Sequence, residues 1–84
     1  MAITETNTEY TITEDGEYSY NGTTTTTGQG FIQATNKTTG AMYNNFVYGF
    51  NSVYPHVCFH AKKGDVIQFS FGGSVTRSSL KKLT

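Results

Sequence analysis

Apolar and polar side chains alternate with a period of two in short stretches along this chain, and turn residues break the pattern at intervals of about 8–12 residues. No window holds apolar residues at helical spacing over three turns. Tyr10 and Ile12 share one face of the segment Glu9 to Thr13, and Tyr18 and Tyr20 share one face of Glu17 to Tyr20. Asp15-Gly16 between them predicts a tight hairpin, and Asn21-Gly22 is expected to close the second strand. Thr23 to Thr27 is β-branched but has no apolar face, which predicts an exposed edge or a loop.

Phe31 to Thr35 reads as the next strand and Thr39-Gly40 as its turn. Ala41 to Phe50 is longer, with Met42, Phe46, Tyr48 and Phe50 on one parity and Asn44 interrupting them. In the following segment Val53, Pro55, Val57, Phe59 and Ala61 share one face, while Tyr54, His56, Cys58 and His60 share the other. Pro55 marks a strand start or a sheet edge, because proline has no N–H to donate. Lys62-Lys63-Gly64-Asp65 supplies a turn, and Ile67, Phe69 and Phe71 then alternate against Val66, Gln68 and Ser70 until Gly72-Gly73. Val75 to Leu83 fits a last strand or one amphipathic turn; the strand is favoured because its basic residues complement the acidic first strand. The result is an all-β chain, a small jelly-roll-like β-sandwich of about seven or eight short antiparallel strands.

Size changes the picture next. With 84 residues the chain forms one domain, spanning 1–84, and a domain this short buries only about 60% of the surface its unfolded chain exposes. Small domains of this kind gain stability from disulfides, metals or partner subunits. Cys58 is the only cysteine, so an intrachain disulfide is excluded and partner subunits lead. Charged residues are 14% of the chain and aromatic residues 14%, all Phe and Tyr. Formal net charge is zero, which removes the electrostatic footprint of a nucleic-acid or anionic-membrane binder. The charges are nonetheless segregated: Glu5, Glu9, Glu14, Asp15 and Glu17 lie in the first twenty residues, whereas the later chain carries Lys37, Lys62, Lys63, Arg77, Lys81 and Lys82 against Asp65 alone. The start Met1-Ala2-Ile3-Thr4-Glu5 lacks the basic and apolar regions of a secretory signal, so synthesis in a cytoplasm is expected, and the acceptor patterns at Asn21 and Asn36 read as turns rather than sugar sites.

The stretch Phe59-His60-Ala61-Lys62-Lys63-Gly64-Asp65-Val66-Ile67-Gln68-Phe69 resembles the hydrophobic-x-x-Gly-Asp-x-hydrophobic signature of complement-type and tumour-necrosis-factor-type trimeric jelly rolls. It is similar above all to the compact jelly-roll knobs and decoration domains of bacteriophage fibres and capsids. Those knobs carry an early Thr-x-x-Asp-Gly-x-Tyr hairpin, which Thr13-Glu14-Asp15-Gly16-Glu17-Tyr18 matches with a spacing one residue shorter. The resemblance covers about a third of the chain. It implies a threefold assembly in which one sheet of each subunit faces its neighbours, and it implies no catalysis. The chain is far shorter than the larger members, whose outer loops carry receptor contacts.

Among residues that carry chemistry, His56, Cys58 and His60 project from one face of a strand and offer nitrogen and sulfur ligands to zinc, copper or iron. Successive same-face residues are about 6.6 Å apart, too far for three of them to grip one ion unless other chains contribute, as at a trimer axis. A Cys–His nucleophilic pair would need a cleft and an oxyanion site that so short a chain scarcely provides. The alternative is two ordinary imidazoles beside a half-buried thiol. The carboxylates lie in turns or on solvent faces rather than paired for glycoside hydrolysis, and Gly28, Gly30, Gly72 and Gly73 match no phosphate-cradling spacing and read as turns or bulges. Tyr43, Tyr48 and Tyr54 among Asn44, Asn45 and Asn51 form the stretch best suited to sugars or a protein partner, with Tyr43, Asn45, Tyr48 and Tyr54 as contact residues. The competing reading is that most tyrosines fill the core with their hydroxyls at its rim.

These observations set the expectation of a non-enzymatic viral structural protein. It would be a homotrimeric capsid-decoration or fibre-tip module, located in the virion beside other virion proteins, which stabilises the particle or attaches it to a host-surface glycan. No cofactor, nucleic acid or membrane enters this reading. The second reading is a carbohydrate-binding module for cell-surface glycans, and a metalloenzyme or thiol enzyme built on His56, Cys58 and His60 is a distant third.

Overall fold

Where apolar side chains recur at every second position, the backbone is extended and one parity turns inward. The computed structural model describes residues 1–24, 27–49 and 54–84. Its strands are β1 (Ala2–Ile3), β2 (Thr8–Thr11), β3 (Gly16–Thr24), β4 (Gly28–Asn36), β5 (Met42–Gly49), β6 (His56–Ala61), β7 (Val66–Gly73) and β8 (Val75–Lys82), and no helix occurs among the described residues. β1 was not legible in the pattern, since two residues are too few for an alternation, yet Ile3 is buried.

Pairing is nested and antiparallel: β1 with β8, β2 with β7, β3 with β6, and β4 with β5. The chain thus resembles one long hairpin with its tip at the Thr39-Gly40 turn. Two further pairings, β3 with β8 and β4 with β7, roll that hairpin into sheets of order β1-β8-β3-β6 and β2-β7-β4-β5. This is the strand order of an eight-stranded jelly roll, and the all-β sandwich expected from the alternation is what the chain forms.

Among the described residues, twelve apolar side chains fill the space between the sheets. Tyr20 from one sheet and Phe69 from the other are fully buried, and their rings meet at 4.6 Å between centroids. The Tyr20 hydroxyl is 2.9 Å from the Ser78 hydroxyl, so a buried polar group is satisfied at the centre of the sandwich. Burial raises the Tyr20 pKa, and burial together with Tyr10, Glu14 and Asp15 raises that of Tyr18, whose hydroxyl donates to the Glu14 carbonyl at 2.6 Å. Ile67, Phe69 and Phe71 face inward as read, and Val75 to Lys82 is a strand rather than a helical turn.

Four local readings need correction. Asp15-Gly16 does not close a hairpin: β2 pairs with β7 and β3 with β6 and β8, so this turn carries the chain from one sheet to the other. Both strands bring tyrosines to the same core from opposite sides, which a hairpin within one sheet would not achieve. Asn21-Gly22 does not end β3, which continues to Thr24; Gly22 is buried where Ile32, Pro55 and Val75 converge, and a Cβ there would lie 2.8 Å from Ile32 and 3.0 Å from each of the others. Thr24 is likewise buried rather than exposed, while Thr25 and Thr26 lie outside the described residues. Gly28 and Gly30 belong to β4 and Gly72 and Gly73 to the end of β7, rather than to turns.

One end of the sandwich is fastened by a polar corner. The Asn36 amide donates to the Asp65 carboxylate at 2.9 Å, and the Lys62 N–H donates to the same oxygen at 3.1 Å. Asn36 Oδ1 accepts the N–H groups of Thr38 and Thr39, each at 3.0 Å, which shapes the β4–β5 turn. The Asp65 carbonyl accepts the Ile12 N–H at 2.8 Å, so the segment after β2 joins the same corner. The segregated charges also meet within the chain: Glu9 lies 3.3 Å from Lys37, Glu14 3.6 Å from Lys82, and Glu17 3.0 Å from His60. These pairs are exposed and contribute about 0–1 kcal/mol each, so the buried corner decides more.

The two bonds to Asp65 hold its pKa below the ordinary value, led by the Asn36 amide, then the Lys62 N–H, with desolvation opposing them. A depressed carboxylate stabilises the fold above its ordinary pKa of about 3.9 and loses that contribution as pH falls through the folded value. The melting temperature therefore falls as pH drops below about 4, and Asp65→Asn melts lower at neutral pH with a flatter acid limb in circular-dichroism scans. Gly22→Ala overpacks the core and lowers unfolding free energy by about 1–3 kcal/mol in urea titrations.

Candidate functional site

β5 has apolar residues on both parities, so alternation alone cannot say which face is buried. The β4–β5 register decides it. Ile32 and Ala34 of β4 are fully buried, and they stand opposite Asn45 and Tyr43. Tyr43 therefore turns inward and stacks on Phe59 at 5.4 Å between ring centroids. Met42, Phe46 and Tyr48, expected together on one apolar parity, do share a face, but it is the outward one: they are 59%, 71% and 70% exposed. Phe50 lies outside the described residues, as do Asn51 and Val53.

This exposed row has a second aromatic beside it. Phe31 stands opposite Phe46 in the register and opposite Gly72 on its other side. Because Gly72 has no side chain, the Phe31 ring lies over β7, where a Cβ on Gly72 would come within 2.7 Å of it. Phe46 leans against Phe31 at 5.8 Å, with a 33° tilt between the rings. A depression of about 200 Å³ opens beside them, lined by Gln29, Gly30, Phe31, Phe46 and Gly73. Gln29, Gln33 and Asn44 surround the aromatics through the same pairings.

The four contact residues read from the sequence do not form one surface. Tyr43 packs against the core, and Asn45 shares its parity. Asn45 Oδ1 accepts the backbone N–H of His56 at 3.2 Å, capping an edge donor of β6 rather than awaiting a ligand. Tyr48 lies on the outer face of β5, and Tyr54 is exposed just before β6. Of the six tyrosines, Tyr18 and Tyr20 are core and Tyr10 and Tyr43 pack against it, so the core-filling reading holds for those four. Phe31 and Phe46 carry the exposed platform instead. The signal for them was present in β5, since a strand apolar on both faces leaves one face in solvent or against a partner.

His56, Cys58 and His60 do project from one face of the edge strand β6, as alternation required, and Pro55 precedes it. All three are exposed, Cys58 included, so the thiol is not half-buried. His60 Nδ1 lies 3.0 Å from Glu17 Oε1, its cross-strand partner. Among the described residues no three His, Cys, Asp or Glu side chains converge around a metal-sized point. The row can hand one imidazole or one thiol to a site shared between chains, and its own spacing gives no cleft for nucleophilic chemistry.

The geometry separates two phenylalanines that the sequence treats alike. Phe46→Ala changes unfolding free energy by less than about 1 kcal/mol because its ring is already in solvent, whereas Phe59→Ala, in the core, costs about 3–5 kcal/mol; paired chemical-denaturation curves read both. No family model, curated protein or solved structure matches this chain.

Proposed function

We propose that this chain is a non-enzymatic structural module of a virus particle, a homotrimeric bacteriophage decoration or fibre-tip domain that stabilises the particle or serves host attachment. The observation that carries the reading is a mismatch within the fold. Among the described residues the buried apolar cluster holds twelve side chains, while Met42, Phe46 and Tyr48 stand in solvent on one strand. A domain with so small an interior and so exposed an apolar row gains stability when other copies cover that row. The jelly-roll strand order is compatible with the resemblance to trimeric knobs.

A second reading, a glycan-binding module, draws on the same aromatic platform, because rings flanked by amides suit sugar faces and hydroxyls. It moves the contact residues from Tyr43 and Asn45 to Phe46, Tyr48, Gln29 and Asn44. Sedimentation equilibrium at micromolar concentration tests the first reading: the expected mass is three times 9.2 kDa, and a species that stays monomeric up to millimolar concentration sinks it.

A further inference from the structure

We infer that copies of this chain meet through the β7-β4-β5 part of the outer face of the β2-β7-β4-β5 sheet, with the β5 ridge of one copy seated in the depression of the next. This rests on the homotrimer reading and assigns its contact surface. Charge identifies the occupant. Across β4, β5 and the part of β7 from Gln68 to Gly72, the outward positions hold aromatic, thioether, amide and hydroxyl groups and no Asp, Glu, Lys or Arg; the charges of this sheet face lie toward β2, where Glu9 pairs with Lys37 at 3.3 Å. A contact made through this part of the face buries no unpaired charge, so copies meet there without desolvating or opposing ions. The opposite outer face carries Arg77 and Lys81, both exposed, and its Glu17 faces His60. Stacking that face on itself sets cation against cation.

Shape supplies the second argument. A ring of three joins unlike patches, because the contact runs head to tail around the axis. The β4–β5 part of the face offers two such features side by side: the projecting row of Met42, Phe46 and Tyr48, and the depression that Phe46 walls together with Phe31 and Gly73. An aromatic anchor in a shallow pocket is where interface energy concentrates. β5 is also a sheet edge eight residues long without a charged side chain or proline. Edges that must stay single are guarded by such residues, and this one is unguarded.

The test compares the full chain with Phe46→Asp, Gln33→Glu and Lys81→Glu by sedimentation equilibrium, with circular dichroism to confirm folding. The expected result is a trimer for the wild type, a shift of at least about tenfold toward monomer for Phe46→Asp and in the same direction for Gln33→Glu, and no shift for Lys81→Glu. Gln33→Glu keeps the test decisive if Phe46→Asp fails to fold. A trimer that both face variants leave intact overturns the assigned surface and spares the trimer reading. A wild-type dimer dissociated by Phe46→Asp keeps the surface and removes the threefold, ridge-in-depression arrangement. A wild-type monomer at every concentration overturns both, and if it binds a neutral polysaccharide such as dextran or starch and loses it in Phe46→Asp, the face belongs to a glycan.

Discussion

The pairings of β3 with β8 and of β4 with β7 are the constraint on which the remaining structure depends. Without them the chain is a ladder of four nested strand pairs with no interior, because each pair would expose the apolar parity of both its strands. With them, eight strands become two sheets of four, and the Tyr20 and Phe69 rings meet between them at a 47° tilt. The Tyr20 and Ser78 hydroxyls meet beside the β3–β8 seam. A buried hydroxyl without a partner costs about 1–3 kcal/mol, so the seam and the core specify one another.

Legibility in the sequence followed from how many of a strand's faces were apolar. Ile67, Phe69 and Phe71 alternate against Val66, Gln68 and Ser70, so the larger apolar parity of β7 was plain and that reading held. Val57, Phe59 and Ala61 opposite His56, Cys58 and His60 gave the same clarity for β6. β5 is different, since Tyr43 and Val47 compete with Met42, Phe46 and Tyr48 for the interior, and only the register against Ile32 and Ala34 settles it. Asp15-Gly16 misled for a related reason: a turn dipeptide records that the chain reverses, and does not say whether the reversal stays in one sheet. The role of Asp65 was visible only as part of a Lys-Gly-Asp turn, because its partner Asn36 is 29 residues away.

The two outer faces that this topology produces are chemically unlike. One is polar, with Arg77, Lys81 and the His60–Glu17 pair; the other is uncharged and aromatic along β4 and β5. The division arises from strand order rather than from any single motif, since β8 and β6 fall in one sheet and β4 and β5 in the other. Gly72 then refines the aromatic side by letting Phe31 lie down across its neighbour.

The interior position of β8 also governs the order in which the molecule can be completed. β8 lies between β1 and β3, and Ala2 pairs with Ser79. During synthesis, β1 and one flank of β3 stay without their neighbours until residues near position 80 leave the ribosome. Such long-range closure is slow and leaves sticky strands uncovered while it lasts. The hairpin of β4 and β5 is local in sequence and can form before β6, β7 and β8 have been made.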